Sequence, residues 1–440
     1  MSEPPTKASM NVLKAILAGE VYPAMGCTEP VSCAYAAALA AERLGETVQR
    51  LSLKADLGTF KNGSAVAVPH AEGAKGNPIA AAMGALLANS ESKLELLGEV
   101  TPAVSAAARE LLHAGRCDYT CLEDEREFRV DVTVFGAEHS ARCVLSGGHT
   151  DIERIERDAQ VLSERDPHRQ RREPAYRAVL RKMSLRELIE VATGLDDDDR
   201  QYIQRGIDMN LAMARRGDES RQAAYYLRRM KEKGILSEDL FYRVKVPIAS
   251  AVDARMAGAA QAVMTSGGSG NQGIVAILTP HLVGQDRGTA SGRILESIAA
   301  AHATNAYIKC YLGELSVTCG CAIAAGIAAS VAVVYQHAGI DIPKMTFAVN
   351  NVIGDLSGLV CDGAKPGCSM KVVTSVDAAM RAAFMAIEGF GISDDDGLLG
   401  RTAEDSIRNL GRLSLDGMAR VDPTVVDILT HKADRNRDPA

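Results

Sequence analysis

Apolar residues recur at helical spacing near the start of the chain: Val12, Leu13, Ile16 and Leu17 predict a helix over residues 7–18. A second helix is predicted just after Met25-Gly26-Cys27-Thr28-Glu29-Pro30, where Thr28 can cap, Pro30 suits a first turn and Gly45 ends an Ala-rich run. From residue 48 to 146 the period shortens. Alternating or β-rich runs at 50–55, 64–68, 127–134 and 139–145 predict strands, with helical pieces at 78–88 and 102–114 between them. Residues 151–174 are dense in Arg, Asp and Glu and read as a solvated linker or exposed helix. Beyond Ser184 the pattern is helical through 185–193, 198–215, 220–233 and 238–260, broken by Gly-rich turns at 266–273, 319–321 and 362–367.

This pattern predicts an α+β N-terminal domain over 1–150, a charged linker over 151–183, a mainly all-α C-terminal catalytic domain over 184–432 and a frayed tail over 433–440. No internal repeat is visible.

Composition sharpens the picture in three ways. The hydrophobic fraction of 47% with only 4% aromatics and no Trp predicts a core of small residues, in which helix backbones approach closely. A formal net charge of −7 offers no basic footprint for nucleic acid or a membrane surface, which leaves small-molecule chemistry. The polar first residues do not form a signal peptide, and the most apolar stretch, 319–334, is too short to span a bilayer and reads as a buried helix; a cytoplasmic protein is the expectation.

The ten cysteines are many for such a protein, and in a reducing compartment they point to metal, catalysis or plain burial. Three motifs carry them into candidate chemistry. In Gly26-Cys27-Thr28-Glu29-Pro30 the cysteine stands just before a helix, where unpaired N–H groups and the helix dipole favour a thiolate. Cys319-Gly320-Cys321 stands at the mouth of another helix. Forty residues on lies Cys361-Asp362-Gly363-Ala364-Lys365-Pro366-Gly367-Cys368. Such turns suit an iron–sulfur cluster with three protein thiolates and one open iron, a zinc site, or structural and redox thiols; the missing second knuckle argues against a zinc ribbon.

Other candidates are polar. In Ser266-Gly267-Gly268-Ser269-Gly270-Asn271-Gln272-Gly273, successive N–H groups and small hydroxyls can form an anion nest for a carboxylate or phosphate, or simply a turn. Lys61-Asn62-Gly63 can place an ammonium and an amide at a domain interface, or form a type I′ turn. His149 is a candidate acid, base or substrate ligand, and Asn350-Asn351 can supply amide contacts; each also has an ordinary structural explanation.

Together, Gly-Cys-Thr-Glu-Pro, Lys61-Asn62-Gly63, the 266–273 loop, Cys-Gly-Cys-Ala-x-Ala-Ala-Gly and Cys-Asp-Gly-Ala-Lys-Pro-Gly-Cys resemble the L-cysteine desulfidase family, which is related to the iron–sulfur L-serine dehydratase α chain. The resemblance runs from about residue 12 to 432. It implies an oxygen-labile [4Fe-4S] cluster on three cysteines, and conversion of L-cysteine to pyruvate, ammonia and sulfide without pyridoxal phosphate. Carried onto this chain, the ligands are Cys27, Cys361 and one of the Cys319/Cys321 pair, with Cys321 preferred on spacing. Glu29, Asn62, Ser266, Gly267, Ser269, Asn271, Gln272 and Asn351 become the expected substrate contacts, and Lys61, Lys365 and His149 the candidate general bases. A lysine in that role would need its pKa depressed. A homodimer is expected by the same resemblance. Two features depart from the family pattern: the 151–174 segment is longer than the family needs, and Cys368 is an additional thiol. L-serine is the alternative substrate. Rival readings are a pyridoxal-phosphate lyase, from the resemblance of Ser269-Gly270-Asn271-Gln272-Gly273 to a substrate loop, and a redox-sensing protein.

Overall fold

The computed structural model describes residues 11–165, 174–217, 220–313 and 315–437. The chain begins with α1 (Val12–Glu20), β1 (Pro23–Met25) and α2 (Thr28–Leu44), then β2 (Arg50–Asp56), α3 (Leu57–Asn62), α4 (Asn77–Leu87) and α5 (Pro102–His113). Strands β3 (Cys117–Leu122), β4 (Arg129–Phe135), β5 (Ser140–Ser146), β6 (Ile152–Arg157) and β7 (Gln160–Glu164) follow. The rest is helical apart from β8 (Ala262–Met264). Its helices are α6 (Ala175–Leu180), α7 (Leu185–Thr193), α8 (Asp197–Gly217), α9 (Ala223–Glu232), α10 (Leu240–Met256) and α11 (Gly270–Asp286), then α12 (Ser291–Leu312), α13 (Ala324–Ala338), α14 (Ile342–Leu356), α15 (Cys368–Ile387), α16 (Ala403–Arg412) and α17 (Val421–Arg437). The fold class predicted above holds: an α/β N-terminal region and a mostly helical remainder.

The sheet runs β3-β2-β4-β5-β6-β7, with β2 and β3 parallel and the other neighbours antiparallel. Helix α2 lies across β4 and β5, and α4 packs on α2 so closely that a Cβ on Gly84 would fall 2.0 Å from the Ala34 carbonyl oxygen. The small-residue composition is used here as expected. A residue any larger than glycine would hold the two backbones apart.

The charged stretch corrects the sequence expectation. Residues 152–157 and 160–164 are not linker but extend the sheet as β6 and β7, and 175–180 form α6. Arg and Glu are interspersed there because opposite charges pair across and along the strands: Arg154 on β6 pairs with Glu164 on β7 at 3.1 Å and with Glu156 on its own strand, and Arg142 on β5 reaches Glu156 at 3.2 Å. Residues 166–173 of this stretch and the tail beyond 437 lie outside the described residues. The 64–68 run is a loop with one bridge, Ala67 to Lys75, not a strand. Strand β3 was not expected.

In the helical part, α13 is the centre. Its residues from Ala324 to Tyr335 are buried, enclosed by α11, α12, α14 and α15. It contains 324–334 of the apolar stretch read as a buried helix, while 319–323 form the turn before it. Among the described residues no helix is long and apolar enough to cross a membrane. Helix α1 joins this same core, packing on α6, α7 and α12.

Candidate active site

Two short backbone pairings gather distant motifs. The first joins β1 to β8 antiparallel, with Pro23 opposite Met264 and Met25 opposite Ala262. It is reinforced beside the strands: Thr265 N–H donates to the Tyr22 carbonyl at 3.0 Å and Gly268 N–H to the Glu20 carbonyl at 3.0 Å. The segment leading into Cys27 is thereby fastened to the one leading into the 266–273 loop. The second is a bridge between Thr318 and Val360. Cys319 N–H donates to the Leu359 carbonyl at 2.8 Å and Cys361 N–H to the Val317 carbonyl at 2.7 Å, so the two cysteine turns run side by side.

Cys27 is the N-cap of α2, in place of the expected Thr28, and Gly45 closes that helix in the left-handed region. Its thiol donates to Glu29 Oε2 at 2.9 Å. The helix N-terminus does not make it a thiolate: burial and the Glu29 carboxylate push it well above the usual thiol range, against the pull of Arg255. Glu29 Oε1 accepts from Asn62 Nδ2 at 3.0 Å, and Asn62 Oδ1 faces the Cys361 Sγ at 3.7 Å. A relay of carboxylate and amide thus runs from Cys27 to Cys361. Burial alone would raise the Glu29 carboxyl, but His149, the Cys27 thiol and Asn62 hold it below the ordinary range.

The other thiols act on one another. Cys321 donates to Cys319, which with help from Lys371 pulls Cys319 down to about 7 despite its burial. Cys321 is correspondingly raised, by that bond, by burial and by Cys319, Cys368 and Cys361. Cys368, the first residue of α15, lies at 3.7 Å from the Gly363 carbonyl and is pushed to about 11 by burial. Cys319, Cys321, Cys361 and Cys368 therefore form one electrostatic group, and Cys27 meets it through Glu29 and Asn62. Among the described residues no three His, Cys, Asp or Glu side chains are gathered around a point fit for a single metal ion. The cysteines are soft sulfur donors, the ligand type that iron–sulfur clusters use.

Lysines face this group. Lys61 is not in a type I′ turn; it ends helix α3, whose N-cap Asp56 accepts from Thr59 N–H, and Gly63 has φ −85°, outside the region such a turn needs. Its ammonium is buried and pairs with Asp422 at 2.6 Å. Burial would lower its pKa, but Cys361, Asp422 and Glu29 raise it above the usual lysine value, the opposite of what a general base requires. Lys365 is tied to Asp362 within its own turn. Lys371 binds the other Asp362 oxygen and donates to the Val360 carbonyl at 2.8 Å; burial lowers it, and Asp362, Cys319 and Cys361 raise it further.

The 266–273 loop leads into α11, whose N-cap is Ser269. Asn271 Oδ1 accepts from Arg255 Nη1 at 2.9 Å while Arg255 Nη2 donates to the Gly26 carbonyl at 2.6 Å, so this buried guanidinium links the loop to the Cys27 turn. Ser266 Oγ lies 2.9 Å from His302 Nδ1 and 3.1 Å from Asn305 Nδ2, both on α12. Gln272 spans from the loop to the Cys-Gly-Cys turn, since a Cβ on Gly320 would meet its Nε2 at 2.7 Å.

A cleft of about 1740 Å³ opens beside these elements, lined by Tyr22, Glu95, Phe128, His149, Gly268 and Leu315 among others. The His149 ring lies 4.9 Å from that of Phe128, tilted at 60° to it, and its buried Nε2 has no partner among the described residues. Asn351 is a correction. Its Oδ1 accepts from Ile392 N–H at 2.9 Å and its Nδ2 donates to the Phe390 carbonyl at 3.2 Å, so both ends of the amide hold the 390–392 loop and neither is open to a substrate. Its neighbour Asn350 is likewise committed, to Ser406 at 2.6 Å.

Sequence reading missed Arg255, His302, Asn305, Lys371 and Asp422. For α12 a signal existed: His302, Asn305 and Lys309 recur at one helical face in a run otherwise rich in alanine.

A profile described as serine dehydratase alpha chain matches residues 91–427. A UPF0597 protein of Geobacter sulfurreducens is 48% identical over 431 residues, covering 98% of this chain and 100% of that protein. A UPF0597 protein of Elusimicrobium minutum is 43% identical over 423 residues, covering 96% of this chain and 100% of its own. A third, from Caldanaerobacter subterraneus, is 35% identical over 426 residues, covering 97% of this chain and 100% of that protein. No solved structure matches the chain.

Proposed function

The chain belongs to the serine dehydratase alpha chain family, and from that premise we propose that it is an iron–sulfur lyase that removes the β-substituent of L-cysteine, releasing sulfide, pyruvate and ammonia, with L-serine as the alternative substrate. The observation that carries this reading is the paired Cys319 and Cys361 turns, joined through Asn62 and Glu29 to Cys27. Cys27, Cys361 and one thiol of the Cys319/Cys321 pair would hold a [4Fe-4S] cluster. When bound, it supplies a Lewis-acidic iron to the departing sulfur or oxygen.

The protein's own residues supply the rest. The 266–273 loop receives the substrate carboxylate at the N-terminus of α11, since the Ser266, Gly268, Ser269 and Gly273 N–H groups already bond backbone carbonyls. Lys61 and Lys371 stay cationic and offset the negative charge that thiolates and leaving group bring into a buried site. His149, on the cleft and beside Glu29, takes the α-proton on its unpartnered Nε2. As that proton leaves, the Cα–H electrons form the Cα=Cβ bond and the Cβ–S bond breaks toward sulfide. The aminoacrylate then tautomerises to an imine, and water converts it to pyruvate and ammonia.

The test is anaerobic reconstitution with iron and sulfide, followed by side-by-side assay on L-cysteine and L-serine. Pyruvate from L-cysteine in excess of that from L-serine is the expected result. Pyruvate from L-serine alone would reassign the substrate, and pyruvate from neither would defeat the lyase reading.

A further inference from the structure

Arg255, on α10, is a buried cation with no counter-ion among the described residues. It is 2% exposed, and no carboxylate pairs with it there. Its two bonds go to neutral acceptors, Asn271 Oδ1 at 2.9 Å and the Gly26 carbonyl at 2.6 Å, and its Nε–H has no acceptor. The Glu29 carboxylate, two residues beyond Cys27, is taken up by Cys27, Thr28 and Asn62. A charge held out of water in this way is strongly disfavoured unless something negative compensates it.

The guanidinium stands at the first turn of α11. A Cβ on Gly270, the first residue of that helix, would lie 2.5 Å from Arg255 Nε and 2.7 Å from its Cζ, and the bond from Nη1 ends on Asn271, the second residue. Gly270 therefore lets the cation lie directly against the helix backbone. That end of α11 is already positive. The N-cap Ser269 offers no side-chain oxygen to the N–H groups of the first turn, and no acidic residue stands there. The buried side chain of Lys309 borders the loop just ahead, its Cγ 3.1 Å from where a Cβ on Gly267 would stand. Two cations and the positive end of a helix thus gather on one short segment, the setting that binds an anion.

We propose that Arg255 supplies the charge that selects a carboxylate at the start of α11, and so restricts the substrate to amino acids whose α-carboxylate is free. This rests on the reading of that helix start as the seat of the substrate carboxylate. Held by Gly26 and Asn271, the guanidinium is fixed before substrate arrives, so little ordering is spent on it when the anion binds. The carboxylate takes N–H groups of the first turn, and Arg255 balances its charge across the Gly270 backbone. Arg255 takes no part in bond breaking; it is a positioning residue that acts through the start of α11. A peptide or an amide of the same amino acid is neutral at that end and leaves the cation uncompensated.

The test compares L-alanine with L-alaninamide, which share the amine, lack a leaving group and differ in the charge at the carboxyl end. Binding is measured by calorimetry on the anaerobic holoprotein, with iron counted in each preparation. The wild type is expected to bind L-alaninamide at least tenfold more weakly than L-alanine. Arg255→Gln, which stays polar and drops the charge, should weaken L-alanine at least tenfold and leave L-alaninamide within about threefold. Arg255→Lys should keep the preference. Should Arg255→Gln fail to fold by circular dichroism, Arg255→Lys decides, and loss of the preference there overturns the proposal. A wild type that binds both ligands alike or neither, or a preference that survives in Arg255→Gln, overturns it too. So does loss of iron in Arg255→Gln, which would assign the guanidinium to Cys27 instead. Sulfide release from L-cysteine in the same preparation keeps the lyase reading separate. Turnover with a preference that ignores Arg255 defeats only the role of Arg255, and a preference that needs Arg255 without turnover of L-cysteine or L-serine defeats only the lyase.

Discussion

The Lys61 ammonium and the Asp422 carboxylate lie 2.6 Å apart, across 361 residues of sequence. Lys61 stands in the last turn of α3 near the thiols and Asp422 in the first turn of α17, so a buried ion pair fastens α17 to α3. Breaking such a pair from one side leaves a charge without its partner. Asp422→Ala should therefore lower unfolding stability by about 2–4 kcal/mol in a denaturant titration. Adding Lys61→Met should restore more than half of that loss, because no uncompensated charge is left. Strict additivity of the two substitutions would mean the pair contributes nothing.

His302 gives a pH signature of its own. Burial depresses its pKa from 6.5 to about 3, while the unfolded chain keeps the ordinary value. Between those values the unfolded state binds the additional proton. The stability that His302 contributes is thus complete above about pH 6.5 and lost progressively as pH falls toward 3. Going from pH 7 to 5 should remove roughly 2 kcal/mol through this group. His302→Gln should flatten that part of the stability–pH curve. An unchanged slope in the variant would show that other groups set it.

The cysteine turns were legible because residue type and spacing carry them. Cys27, Cys319, Cys321 and Cys361 stand in short motifs with glycine or proline beside them, and the helices that follow Cys27 and Cys321 are written in Ala-rich runs. What the sequence hides is pairing at a distance. Nothing local in Thr318 or Val360 announces that they bridge, or that Pro23 lies opposite Met264. Asn351 shows the converse. A polar pair in an apolar helix suggests a ligand site, yet the loop at 390–392 needed its backbone groups satisfied and took the amide. The charged stretch misled for a related reason: alternation of Arg and Glu marks a solvated linker and a salt-bridged strand pair equally well, and only cross-strand partners such as Glu156 and Arg142 separate them.

If the thiols hold a cluster, their loss should be selective. Cys361→Ser should bring the iron content of anaerobically reconstituted protein below about a quarter of the wild-type value, because a hydroxyl is a poor substitute for a thiolate on iron. Cys143→Ala, on β5 in the sheet core, should keep the iron content. Iron and acid-labile sulfide are both measured. Equal iron in the two variants would remove Cys361 from the ligand set.

Gly273 tests the loop without touching any candidate ligand. A Cβ there would lie 2.0 Å from the Met264 carbonyl oxygen and 2.8 Å from the Thr265 Cα, all backbone that cannot swing aside. Gly273→Ala must push the first turn of α11 away from β8, and with it the segment that fixes Ser266, Gln272 and, through Asn271, Arg255. Overpacking of this kind destabilises by about 1–3 kcal/mol. The larger effect should fall on substrate: KM for L-cysteine should rise at least tenfold, while iron content stays near the wild-type value, because the cysteine turns are held by their own backbone bonds to Leu359 and Val317. Anaerobic kinetics and an iron assay on one preparation check both halves. Loss of iron in parallel with KM would mean that loop and cysteine turns form a single cooperative unit.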